Sequence, residues 1–314
     1  MAGKTVLILG GGWGGMALAY GLRGMLASEH RVVVIEKKET FSLCLSNLNI
    51  MTGAWKSPAD AERQMSKMSR PGIEWVHEEA RTIDPVAREV RTDSQTLRGD
   101  YLVIALGASL NPDGVPGFAE SAYNLYEATG AHALQRAISE FDGGKIAVLV
   151  SRMPYRCPAA PYEACFLMDS IFRERGIRQR VEITIHTPGK RPMAVAGPDV
   201  GDALLGMLAE RDIMYGGDHL VSSIDPASRK ILFDGAEASY DLLVGVPPHK
   251  APQVVIDAGL TDSSGYIPVH PQSLEVLTDV EDLKTDYTRV YAIGDVTTIT
   301  LLNMMPMPKA GVFA

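Results

Sequence analysis

The sequence predicts an α/β protein of two parallel-sheet units, the second inserted in the first. Three observations carry this expectation. Apolar β-branched runs alternate with helical stretches in a strand–helix–strand order that occurs twice. Loops rich in Pro and Gly interrupt the chain at 111–118 (NPDGVPGF) and within 241–252 (DLLVGVPPHKAP), where it would leave and re-enter the first unit. The 314 residues, 46% hydrophobic and 22% charged, are enough to build two cores.

In order along the chain, KTVLIL at 4–9 reads as the first strand, GGGWGG as a turn, MALAYGLRGMLASE as a helix and RVVVIE as the next strand. DYLVIALGA at 100–108 is a further strand, followed by the first crossing. A helix around 127–140 leads to the strand GGKIAVLVS at 143–151, and an amphipathic helix runs from about Pro161 to Arg175. VEITIHT at 181–187 is a strand, 200–211 a helix and 220–235 a hairpin. After the return crossing, TRVYAIGDVTT at 288–298 is a strand ending in Gly-Asp. The expected division is 1–112 with 246–314 as one domain and 113–245 as the other.

Composition narrows the function. Lys plus Arg number 30 against 38 Asp plus Glu, a net charge of -8 without any basic run, which argues against nucleic acid. No stretch approaches the roughly 18 consecutive apolar residues of a membrane span, and no transmembrane segment is expected. No signal peptide is visible, which favours a cytoplasmic or membrane-peripheral location and leaves a periplasmic one open for a mature form. The three cysteines, Cys44, Cys157 and Cys165, are an odd number without C-x-x-C spacing, so neither a closed disulfide framework nor a metal site is expected.

The chemistry begins at Gly10-x-Gly12-x-x-Gly15, placed between a strand and a helix, with Glu36 closing the next strand. The first glycine permits a tight turn, the second lets backbone approach a pyrophosphate, and the third lets helix pack on strand. A phosphate then lies on the helix N-terminus, and Glu36 accepts from ribose hydroxyls. The units are thus expected to be two Rossmann-like dinucleotide-binding domains. Gly294-Asp295 puts an acid at the carboxyl end of a late strand, where α/β sheets bind ligands.

GGGWGG with Glu36, DYLVIALGA, DLLVGVPP and YAIGDVTT, in this order, resemble the flavoprotein disulfide reductases, the FAD-dependent pyridine nucleotide-disulfide oxidoreductase superfamily. The resemblance implies that the first domain holds FAD through Gly10, Gly12, Gly15, Glu36, Lys37, Ala105, Gly107, Gly294 and Asp295, with the late Gly-Asp at the ribityl-phosphate portion.

The second domain departs from the pattern. GGKIAVLV runs into Ser151-Arg-Met-Pro-Tyr-Arg-Cys157-Pro-Ala-Ala-Pro-Tyr-Glu163, which contains no Gly-rich phosphate loop. Its prolines remove N–H donors, which argues against nicotinamide. A cysteine stands there instead, at a strand-to-helix junction with Arg152 and Arg156 close in sequence, reasons for a lowered thiol pKa. Cys165, on the apolar side of the helix, is expected to be buried and inert.

PYRCPAAPYEA is similar to the motif of sulfide:quinone oxidoreductases and of the flavoprotein subunit of flavocytochrome c sulfide dehydrogenase. That similarity implies a redox-active Cys157, Glu163 as acid/base, sulfide or a related small sulfur species as substrate, and a quinone or c-type cytochrome as acceptor. Phe41-Ser-Leu-Cys44-Leu-Ser-Asn47 resembles the C-x-S-N setting in which the flavin 8α-methyl is attached, making Cys44 a candidate covalent tether and Asn47 a cofactor neighbour. In the family a second redox cysteine follows the Gly-Asp strand. Either this sequence stops short of it or the protein works with one thiol. The apolar run LLNMMPMP at 301–308 either lines an acceptor pocket or belongs to the core. An NADH-dependent flavin oxidoreductase and a non-catalytic FAD-binding electron-transfer subunit are the alternatives, and oligomeric state is left open.

Overall fold

The computed structural model describes residues 3–42, 46–68 and 70–299. Cys44 and the 301–308 run lie outside the described residues. Backbone contacts divide the chain into one unit of residues 1–42, 63–109 and 250–314 and a second of 43–62 and 110–249.

In the first unit, five strands form a parallel sheet in the order Val290–Ala292, Tyr101–Ile104, Thr5–Leu9, Arg31–Ile35, Ile73–Val76. Ile8 is in register with Val34 on one side and with Val103 on the other. The period-two alternation of strands sorts these apolar runs into two cores. Leu7, Leu9, Val33, Ile35, Leu102 and Ile104 pack with Val255, Tyr266 and Ile267 on one face. Ile8, Val32, Val34 and Val103 meet Ala19 of the helix Trp13–Met25 on the other.

The second unit repeats this plan. Its parallel sheet runs Tyr123–Asn124, Leu242–Val246, Gly144–Val150, Val181–His186, Ile213–Gly216. Ile146, Val148, Ile183, Ile185 and Val244 pack with Leu134 of the helix Ala128–Glu140 and with Met168 and Phe172 of the helix Ala160–Glu174. Ala147, Leu149 and Leu243 pack on the opposite face with Phe118, Ile224, Ile231 and Phe233.

Several features differ from the sequence expectation, among them the strands Ile73–Val76, Tyr123–Asn124 and Ile213–Gly216, which it does not contain. Residues 43–62, assigned by sequence to the first domain, group with the second unit. The reason is packing: Ile50 and Ala61 are buried against Ala131, and Met51 lies among Leu125 and Leu134. The changes between units fall at 109/110 and 249/250, three or four residues from the expected 112/113 and 245/246. Finally, each unit carries a three-stranded antiparallel sheet. One, Thr82–Asp84, Glu89–Arg91 and Thr96–Arg98, has no counterpart in the sequence reading, and the other adds Ala236–Ser239 to the expected hairpin.

Candidate functional site

The glycine turn of the first unit is built by contacts that admit no side chain at two of its three positions. Gly10 has φ +100°, and a β-carbon there would come within 2.4 Å of the Ala105 carbonyl oxygen. A β-carbon at Gly15 would lie 1.9 Å from the Gly10 carbonyl oxygen. Gly12 is different, because a β-carbon there would meet nothing within 4 Å. The first and third glycines are needed by the fold itself, while the second faces open space of the kind a phosphate's close approach uses.

Gly12 also starts the helix Trp13–Met25, which has no side-chain cap and no acidic residue in its first turn. Its first N–H groups and its dipole therefore favour an anion. Glu36, directly after the Arg31–Ile35 strand, accepts from Gly11 N through Oε2 at 2.7 Å and from Lys38 N through Oε1 at 2.9 Å. The Lys37 side chain turns to solvent and pairs with Glu79 at 2.8 Å, so its ammonium has a structural partner.

Ala105 continues the Tyr101–Ile104 strand by donating to Leu9 O at 2.7 Å, and Gly107 follows with open space on its Cβ side. At the end of Val290–Ala292 the chain makes a turn over Gly294–Val296, where Thr297 Oγ1 donates to Gly294 O at 2.8 Å. Asp295 is buried there. Burial, and then the Asp295 carboxylate, push the Tyr266 phenol up to about 12. Tyr266, a neighbour of this acid, was invisible to sequence reasoning because the two are joined only by the fold.

In the second unit, the strand Gly144–Val150 leads through a loop to the helix Ala160–Glu174. Cys157 sits in that loop, half-buried, with φ +53°. A side chain in this left-handed region costs about 1–2 kcal/mol, which surrounding contacts must offset. The Cys157 carbonyl accepts from Tyr126 Oη at 3.0 Å and from Ala160 N at 3.1 Å. Glu163 lies in the first turn of the helix and is exposed.

The two arginines close to Cys157 in sequence both have partners within the second unit. Arg152 donates to Ser151 O at 2.7 Å and Val221 O at 2.8 Å, and Arg156 lies over the Tyr126 ring at 5.6 Å. Cys165 is fully buried and burial pushes its thiol pKa up, as its expected inert role requires. Asn47 is buried in the second unit, where Nδ2 donates to Leu125 O at 2.9 Å and Oδ1 has no hydrogen-bond partner.

Residues 4–311 match the pyridine nucleotide-disulphide oxidoreductase family. The chain belongs to this family. As a family member it is 25% identical over 307 residues to the mitochondrial sulfide:quinone oxidoreductase of Mus musculus, covering 94% of this chain and 66% of that protein. It is 26% identical over 316 residues to the sulfide-quinone reductase of Aquifex aeolicus, covering 97% and 71%. The X-ray structure of the sulfide:quinone oxidoreductase of that hyperthermophilic bacterium superposes with a TM-score of 0.81 at 25% identity, over 98% of this chain and 72% of that one. The chain therefore spans about two thirds of the length of these curated relatives.

FAD is the cofactor of this oxidoreductase family. The first unit fits it. Gly12 leaves the space a pyrophosphate takes, the uncapped helix start supplies N–H groups, Glu36 offers carboxylate oxygens to a ribose, and Asp295 stands at a strand end. Among the described residues, no helix is long and apolar enough to cross a membrane.

Proposed function

We propose that this protein oxidises sulfide or a related small sulfur species through Cys157 and passes the electrons by way of FAD to a quinone, a c-type cytochrome being the other candidate acceptor. The observation that supports this reading most strongly is the loop 151–163. A nucleotide-binding domain would carry glycines there, and this chain carries Pro158, Pro161 and a half-buried cysteine in a left-handed backbone. The similarity to sulfide:quinone oxidoreductases over nearly the whole chain supports the same substrate and acceptor.

In this reading the second unit is a Rossmann-like domain inserted in the FAD domain, which has exchanged a nicotinamide site for a thiol. The FAD-holding residues are Gly10, Gly12, Gly15, Glu36, Ala105, Gly107, Gly294 and Asp295, with Lys37 and Asn47 as neighbours and Cys44 as candidate covalent tether. When bound, the flavin supplies a two-electron acceptor. Cys157 does the sulfur chemistry: a sulfur–sulfur bond forms between Sγ and the sulfur of hydrogen sulfide, one S–H bond of each breaks, and two electrons and two protons leave. With FAD bound, the flavin would supply the acceptor for both electrons and for one of the protons. Glu163, exposed at the start of the helix, would take the other proton.

A Cys157→Ser variant tests this reading. Sulfide is expected to leave its flavin oxidised under anaerobic conditions while FAD content stays at the wild-type level. Equal bleaching in both proteins would overturn the role given to Cys157.

A further inference from the structure

The loop that carries Cys157 is held by two phenols at consecutive carbonyls. Tyr126 Oη donates to Cys157 O at 3.0 Å, and Tyr155 Oη donates to Pro158 O at 3.0 Å. Both rings are buried, 7% and 4% exposed, so neither bond competes freely with water. Tyr126 is itself fixed on several sides. Its backbone N–H donates to Asn124 Oδ1 at 3.0 Å, the His249 ring meets it edge-on at 5.4 Å and 88°, and the Arg156 guanidinium lies over its face. A non-glycine residue at φ +53° persists only where its surroundings over-determine it, and these two bonds act on that residue and the next.

We propose that Tyr126 and Tyr155 are positioning residues for the Cys157 thiol: by holding the carbonyls of residues 157 and 158 they keep Cys157 in its left-handed conformation and so set the direction of Sγ. The consequence for turnover rests on the reading of Cys157 as the redox thiol. The grip on the backbone does not. Without the Tyr126 hydroxyl the Cys157 carbonyl loses one of its acceptor bonds, the backbone relaxes toward the right-handed or extended region, and Sγ is displaced. Displacement of a reacting atom by about 1 Å is enough to cost up to about a hundredfold in rate.

The test compares FAD-loaded wild type with Tyr126→Phe, Tyr155→Phe and the double variant. The first readout is the rate of Cys157 alkylation by iodoacetamide, followed by mass spectrometry, with buried Cys165 as internal reference. The second is the limiting rate of flavin reduction by sulfide. For Tyr126→Phe we expect the Cys157 alkylation rate to change at least about threefold and the limiting rate of flavin reduction to fall about tenfold. The half-saturating sulfide concentration, FAD content and melting temperature should stay near wild type, and the double variant should be more affected than either single one. Wild-type alkylation and reduction rates in both single variants would overturn the proposal, as would losses that merely track lost FAD or unfolding. Should sulfide fail to reduce even the wild-type flavin, the redox reading falls, while the alkylation rates still decide whether the phenols position Cys157.

Discussion

Glu36 Oε2 accepts a 2.7 Å hydrogen bond from Gly11 N, tying the end of one strand to the middle of the glycine turn that opens the neighbouring helix. The bond places a carboxylate beside a turn whose Gly12 position is open and whose helix start is uncapped. One acid thus braces the turn and holds its carboxylate beside the uncapped helix start.

Glu36→Ala should accordingly weaken FAD binding more than it weakens the fold. Hydrogen bonds to a charged group contribute about 1.5–3 kcal/mol each, so the dissociation constant should rise about tenfold to a hundredfold. Flavin fluorescence after ultrafiltration measures it.

The three glycines should separate by substitution. Gly15→Ala would drive a β-carbon to 1.9 Å from the Gly10 carbonyl oxygen and should destabilise the first unit by about 1–3 kcal/mol or more, read by urea denaturation. Gly12→Ala meets no protein atom within 4 Å. The melting temperature of its apoprotein should stay near wild type while FAD affinity falls.

The second unit should lose stability in mild acid. Burial, and then His219, hold His186 down at about 4, and the two Nδ1 atoms lie 2.9 Å apart between stacked rings. An unfolded histidine takes up a proton near pH 6.5 that folded His186 refuses until about pH 4. The unfolded state therefore binds more protons across this window. Stability is full above about 6.5 and falls by about 3 kcal/mol as the pH drops toward 4. Urea midpoints across this range should show that slope in the wild type and a shallower one in His186→Gln.

Asp169→Asn should be among the most destabilising single changes in the second unit. The carboxylate is fully buried and accepts from Arg178 at 2.6 Å and Arg173 at 2.9 Å. Burial raises its pKa, but these two arginines outweigh that and leave it lowered. Arg178, 9% exposed, also donates to Val181 O, Arg211 O and Asp212 O. Removing the charge strands a buried guanidinium, at a cost of about 3–5 kcal/mol, measurable by urea denaturation.

The main strands and the glycine turn were legible in the sequence because each is specified locally. VLIL, VVVI, YLVI and IAVLV are apolar runs long enough to read, and Gly10 and Gly15 occupy positions no side chain can fill. Ile73–Val76 escaped because Glu74 and Trp75 interrupt its pattern, and Ala236–Ser239 because it is largely exposed. The strands of 82–98 are three residues each, too short for a periodicity to show. The allegiance of 43–62 and the bond from Tyr126 to Cys157 depend on residues dozens of positions apart, which no local pattern encodes.

Anaerobic titration of the FAD-loaded protein, following flavin absorbance while sulfide is added and NADH is added to a parallel sample, decides between a sulfur and a nicotinamide donor. Near-stoichiometric sulfide is expected to bleach the flavin and NADH to leave it oxidised. Bleaching by NADH with sulfide inert would contradict this expectation and would make the second unit a nicotinamide site despite Pro158 and Pro161.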